Sequence, residues 1–406
     1  MSGGILSGLS IVEGSAFVAA PLGGMTLAQL GADVIRFDQI GGGLDSKRWP
    51  LDRHGNSLFW QGLNKGKRSI QIDLTKREGQ EIAAALITRA GSDAGIFLTN
   101  FPARGWLAYD RLKTRRADLI MVALTGNADG TSEVDYTVNP ATGFPSITGP
   151  RGLDEPVNSV LPAWDIAMGN LAAVGILAAE RHRTRTGAGS LVRLALSDVA
   201  FAMAGNLGRL AQAELDAGEV SKDGNYLYGA FGRDFATSDG RRVMVVALTA
   251  RQWQALKEGT GLHPAAAALA EKTGIDLETE GGRFEVRDKI AVLLEPWFRA
   301  RSLREVEQAF AETGVSWGPY QTFRQLLEDD ARGSTANGLF ARVAHPHSGT
   351  YLTPASPLDF SSIERVPALP APALGQHTDE ILADLLRLSS AEIGRLHDGA
   401  IVAGPA

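Results

Sequence analysis

The chain has 406 residues, enough for two or three domains with sizeable cores, and its apolar (44%) and charged (21%) shares are those of an ordinary globular protein. A formal net charge of −6 gives no global case for nucleic-acid binding. The absence of cysteine excludes disulfides, thiolate metal sites and a cysteine nucleophile together, and fits a cytoplasmic enzyme.

The first ten residues carry no basic region and predict no secretory signal. The longest uncharged apolar run, Ile166 to Ala179, falls short of the ~20 residues that span a bilayer, so no membrane partner is expected. Leu9–Val12 reads as a strand, Pro21–Leu30 as a helix and Ala32–Phe37 as the next strand. Ser69–Asp73, a helix over Arg77–Thr88, and the strands Ala94–Thr99 and Leu119–Leu124 follow. A long helix then begins near Asp165 and leads to a strand over Leu191–Leu196. Strands alternating with helices of this length predict an α/β fold: a Rossmann-like parallel sheet covered on both faces.

The pattern changes after residue 205. Gly224–Phe235 is rich in glycine and aromatics, a strand over Arg241–Ala247 follows an Asp-Gly turn, and helical patterns dominate to about Asp330. The expected domains are a large one over 1–205 and 345–406, a small α+β one over 222–330, and linkers at 206–221 and 331–344. Pro354–Pro372 reads as an extended surface segment, followed by helices over Thr378–Leu388 and Ala391–Leu396 that dock on the large domain.

Several constellations carry chemistry. Glu13-Gly14-Ser15 after the first strand, with Asp38 closing the second, looks like the opening of a dinucleotide-binding unit, yet the Gly-x-Gly-x-x-Gly fingerprint is missing. A nicotinamide oxidoreductase is therefore the competing class, and a Rossmann-like sheet without NAD the plainer one. Lys65, Lys67 and Arg68 form a basic turn that either is solvated or holds phosphates. Asn100, Phe101 and Arg104 follow a strand at its carboxyl end, where open α/β sheets bind ligands, and Arg36 adds a charge on that edge. Arg181, Arg183 and Arg185 complement a helix C-terminus and read as structural. His345-Pro-His347 has no spaced carboxylate partner, and no metal site is expected.

Asp165 follows a proline and a tryptophan and precedes small residues at the start of the long helix. An aspartate there is ordinarily an N-cap. In a protein without cysteine it is also a candidate to carry covalent acyl intermediates.

The ordered set Gly31–Arg36, Leu63–Ile70, Asn100-Phe101, Asp165, Thr186–Gly189 leading to Leu196–Asp198, and Gly375–Ile381 resembles the family III CoA-transferases. That family includes formyl-CoA transferase and α-methylacyl-CoA racemase. The resemblance covers nearly the whole chain and implies an interlocked homodimer, each chain a ring threaded by its partner. It also implies CoA bound as part of the substrate, and no permanently bound cofactor. By the same resemblance Asp165 is catalytic; Phe17, Arg36, Asn64, Lys65, Asn100, Phe101 and Arg104 surround the CoA; Trp49, Tyr226, Tyr228 and Arg233 surround the acyl group. Backbone N–H groups near Tyr228-Gly229 would stabilise oxyanions.

Two departures matter. Gln39 stands where the family usually has a basic residue, so Arg36 takes over part of that contact. Val134 stands where the racemase branch has a histidine, which removes the base for α-proton abstraction. Within the family, Val12–Gly24, Val134–Asn139 and Gly224–Phe235 resemble the branch that moves CoA between C1 and C4 of mesaconate in the 3-hydroxypropionate route of carbon fixation. Intermolecular CoA transfer between two acids is the alternative activity, and a non-catalytic binder of CoA esters a further one.

Overall fold

The computed structural model describes residues 3–215 and 220–405. They form two units: Met1–Thr142, Ser159–Glu214 and Ala331–Ala406 make the first, and Gly143–Asn158 with Leu215–Asp330 make the second.

In the first unit, β1 (Ser10–Gly14), α1 (Ala19–Ala28), β2 (Asp33–Asp38), α2 (Leu58–Leu63), β3 (Arg68–Ile72), α3 (Arg77–Ile87), β4 (Ile96–Thr99), α4 (Tyr109–Arg115), β5 (Ile120–Thr125) and α5 (Asp135–Ala141) follow one another. The short α6 (Phe144–Ile147) belongs to the second unit, and α7 (Ala163–Thr186) and β6 (Ser190–Ala195) return to the first. The sheet runs β3-β2-β1-β4-β5-β6 with every pairing parallel. The order reverses between β1 and β4, which makes a crevice at the carboxyl ends of these two strands. Ile11, Ile35, Phe37, Ile70, Phe97 and Met121 are fully buried, as strands covered on both faces require.

Helix α7 crosses α1 at close range. A Cβ on Gly169 would meet the Ala19 carbonyl at 2.7 Å, and one on Gly23 the Gly169 carbonyl at 2.9 Å. The two glycines let the backbones touch, which fixes α7 on the sheet. At its far end Arg183 is buried and donates to the Ala94, Gly95 and Ser92 carbonyls, and Gly187 (φ 73°) terminates the helix. The strand Val402–Ala403, which the sequence pattern does not reveal, joins the sheet antiparallel to β3.

The second unit holds a three-stranded antiparallel sheet of Phe231–Ala236, Arg242–Ala247 and Ser316–Pro319. Its core contains Phe231, Trp253, Leu294 and Phe298, all fully buried. Residues 143–158, which the sequence places in the large domain, fall here. Arg151 pairs with Asp223 and Asp288, Lys222 donates to the Glu155 carbonyl, and the Gly224 N–H donates to the Gly149 carbonyl. The residues read as a second linker, 331–344, lie in the first unit, where Phe340–His345 pairs with Gly349–Pro354 in a hairpin. Among the described residues no helix is long and apolar enough to cross a membrane.

Candidate active site

The crevice between β1 and β4 is built by backbone held in place. Asn100, just after β4, accepts the Ala16 N–H at 2.9 Å and donates to the Ala16 carbonyl at 2.7 Å. Thr99 donates to the Gly14 carbonyl at 2.7 Å and accepts the Phe101 N–H at 2.9 Å. Asn100 thus splices the two strand ends together. Phe17 follows in the left-handed region (φ 69°), a conformation costly for a side chain with a Cβ. Its N–H donates to Asp45 at 3.0 Å, which holds it there with the ring half-exposed.

Beneath this loop lies a buried charge network. Arg36 is 1% exposed and donates to Asp38, to Asp45 at 2.9 Å, to Asn64 at 3.0 Å and to the Ser15 carbonyl at 3.0 Å. Burial works against its charge, but Asp38, then Asp45 and Glu13, more than offset this and hold Arg36 above its ordinary pKa. Glu13, fully buried, accepts from Lys67 at 2.8 Å and from Ser15 at 2.7 Å. Burial pushes the Lys67 ammonium down to about 8 against the attraction of Glu13. Arg36, Asn64 and Lys65 therefore point inward in this structure. Asn64 is shared by Arg36, Lys67 and the Trp60 carbonyl, and Lys65 donates to the Gly62 carbonyl. Arg68 pairs with Asp33 and Glu380. The basic turn stabilises the sheet edge with its side chains; it does not present them to solvent.

Asp165 lies on the first turn of α7, yet it is not the cap. The carboxylate of Asp135, on α5, accepts the Trp164 N–H at 2.8 Å and the Asp165 N–H at 3.0 Å. Asn139, one turn further along α5, accepts the Trp164 indole N–H at 2.9 Å. The Asp165 carboxylate makes no hydrogen bond among the described residues and is only partly buried. A helix N-terminus favours a carboxylate anion. Here burial, and then the neighbouring charge of Asp135, win: the Asp165 carboxyl is pushed up to about 7, with Arg48 pulling the other way. An unbonded carboxylate that changes charge near neutral pH is suited to nucleophilic work. Asp135 is the residue that the sequence did not reveal. It caps a helix some thirty positions away and leaves no local pattern.

The remaining residues expected at a site divide between the units. In the first, Arg104 is exposed after β4, Phe101 packs on Phe37 with ring centroids 6.2 Å apart, and Trp49 is 77% exposed. In the second, Arg233 donates to the Tyr226 hydroxyl at 3.1 Å and stacks on that ring, and Tyr228 packs edge-on against Phe284. Among the described residues no group of histidine, aspartate or glutamate side chains could hold a metal ion.

The sequence model of CoA-transferase family III matches residues 6–378. A 2-methylfumaryl-CoA isomerase of Chloroflexus aurantiacus is 60% identical over 99% of this chain and 98% of its own. A formyl-CoA:oxalate CoA-transferase of Rhodopseudomonas palustris is 27% identical over 98% of both chains. Among solved structures, a CAIB/BAIF family protein from Brucella suis superposes with a TM-score of 0.75 at 25% identity, covering 95% of this chain and all of that one.

Proposed function

The chain belongs to the family III CoA-transferases, and from that premise we propose that it isomerises 2-methylfumaryl-CoA, the C1 thioester of mesaconate, to 3-methylfumaryl-CoA, the C4 thioester. Similarity over both full chains to an enzyme named for that substrate supports the choice of acyl group. The observation that carries the chemistry is the Asp165 carboxylate, which is free of the capping bond and ionises near neutrality.

Mesaconate is a trans dicarboxylate, so its C4 carboxylate cannot reach its own C1 thioester and a relay group is needed. The Asp165 carboxylate attacks the C1 carbonyl, forming an aspartyl–mesaconyl anhydride and expelling CoA thiolate. The thiolate attacks the aspartyl carbonyl, giving an aspartyl-CoA thioester and free mesaconate. Mesaconate turns end for end, its C4 carboxylate attacks the thioester, and the thiolate returns to C4, which frees Asp165. No proton is gained or lost overall. An anhydride hydrolyses readily, so water must be kept from it while mesaconate is retained.

Phe17, Asn100, Phe101 and Arg104 frame the crevice for CoA in this reading. Arg36, Asn64 and Lys65 support the loop from below. The active form is a homodimer, interlocked as in the family. In its support, Leu171 and Val174 on α7 and Phe201, Leu207 and Leu210 just beyond β6 are exposed apolar side chains that a second copy would cover.

The test is chromatographic. The C1 thioester should become the C4 thioester without added acceptor, and labelled free mesaconate should not enter the ester. Rapid entry of label would instead make the enzyme an intermolecular CoA-transferase.

A further inference from the structure

An acyl group with two carboxyls needs a cation for the carboxylate that does not carry CoA. Several other basic side chains are already paired, and Arg104, exposed beyond β4, is left to the CoA in the reading above. Arg36 and Lys67 are buried in the network under the loop, Arg68 pairs with Asp33 and Glu380, and Arg183 is spent on carbonyls. In the second unit Arg151 and Arg287 pair with Asp223, and Arg233 bonds the Tyr226 hydroxyl.

Arg48 differs. Its side chain is exposed and makes no ion pair or hydrogen bond among the described residues. Its guanidinium carbon stands 5.6 Å from the ring centroid of Phe17 and 5.2 Å from that of Phe59 on α2. Its backbone is anchored on both sides: the Arg48 N–H donates to the Asp45 carbonyl at 3.1 Å, and the Ser57 hydroxyl donates to the Arg48 carbonyl. A guanidinium held over aromatic rings is attracted by their faces and keeps its N–H donors for a planar anion. Arg48 also lies within electrostatic reach of the Asp165 carboxylate.

Resting on the function proposed above, we infer that Arg48 receives the free carboxylate of the acyl group and so selects dicarboxylic over monocarboxylic thioesters. Its position suits a relay reaction. The two half-reactions differ by exchange of the two carboxyl groups, which also moves the methyl group to the other alkene carbon. In a trans skeleton these groups are separated by a fixed span, so one cation at a fixed place relative to Asp165 serves both. The strained Phe17 acquires a purpose on this account, because its backbone conformation presents the ring on which Arg48 rests.

The test compares the release of free CoA thiol, with hydroxylamine present to take the acyl group as a hydroxamate, from the C1 thioester of mesaconate and from the same thioester with its C4 carboxylate blocked as a methyl ester. The native enzyme should prefer the free acid by roughly 100-fold in kcat/KM, the scale of a charge pair lost at a desolvated site. In Arg48→Gln the acid-to-ester ratio should collapse to near unity, and Arg48→Lys, which keeps the charge, should retain part of it. The ratio is the readout because any effect of Arg48 on Asp165 itself cancels between the two substrates. An unchanged ratio in Arg48→Gln, or a ratio lost equally in Arg48→Lys, overturns the assignment. Formation of the C4 thioester is scored separately. A preserved acid preference with no isomer formed would reject the isomerase reading and leave Arg48 in place.

Discussion

The Asp135 carboxylate accepts the backbone N–H of Asp165 at 3.0 Å, so an acidic side chain from α5 meets the one on the first turn of α7, and only the former is bonded. Asp135 takes the capping work and, by its charge, helps burial to keep a proton on Asp165 up to about pH 7. Position and protonation of the nucleophile come from the same neighbour.

The pH dependence follows from this pair. The attacking form of Asp165 is the anion, so kcat/KM should rise with pH through about 7 and level off above it. Asp135→Asn keeps an amide oxygen for the cap but removes the charge, and the acid limb should move to lower pH. A limb that stays in place would assign the whole shift to burial.

Stability should oppose activity at Asp165. Its folded carboxyl titrates above the ordinary carboxylate value of about 4, so across the interval up to about 7 the native state holds a proton that the unfolded chain has released. Stability therefore falls as pH rises through that interval. Asp165→Asn should raise Tm by several degrees at about pH 8, and the gain should vanish below about pH 4. Thermal unfolding of both proteins at the two pH values measures it.

The network beneath the loop predicts a structural cost. Lys67→Met leaves Glu13 buried without its nearest cation and should cost about 3–5 kcal/mol in chemical denaturation. Adding Glu13→Leu should recover part of that loss, because the uncompensated charge is gone.

Gly24 gives a second entry to the same network. A Cβ there would meet the Glu13 carboxylate at 1.7 Å, and the oxygen concerned has no hydrogen-bond partner. Gly24→Ala should cost about 1–3 kcal/mol through the forced shift of Glu13. It should also weaken CoA-ester binding as the Ser15–Phe17 loop moves.

Much of this was legible in the chain. Apolar runs such as Ile96–Leu98 and Ile120–Leu124 declare buried parallel strands, and Asp165 stands out because the sequence offers no cysteine. Other features depend on contacts between distant residues. The two-residue strand Val402–Ala403 is too short to show a period. Lys67 reads as a surface cation until Glu13, 54 positions away, is folded against it. Asp135 looks like any acidic residue opening a short helix, and its work is done at α7.

In the proposed mechanism Asp165 exchanges an oxygen with the substrate. Each turnover should leave on its carboxylate one oxygen that came from the C4 carboxylate of mesaconate. Substrate labelled at C4 with the heavy oxygen isotope should therefore transfer label to the peptide containing Asp165, read by mass spectrometry after many turnovers. Isomerisation at the native rate with no label on that peptide would contradict the account.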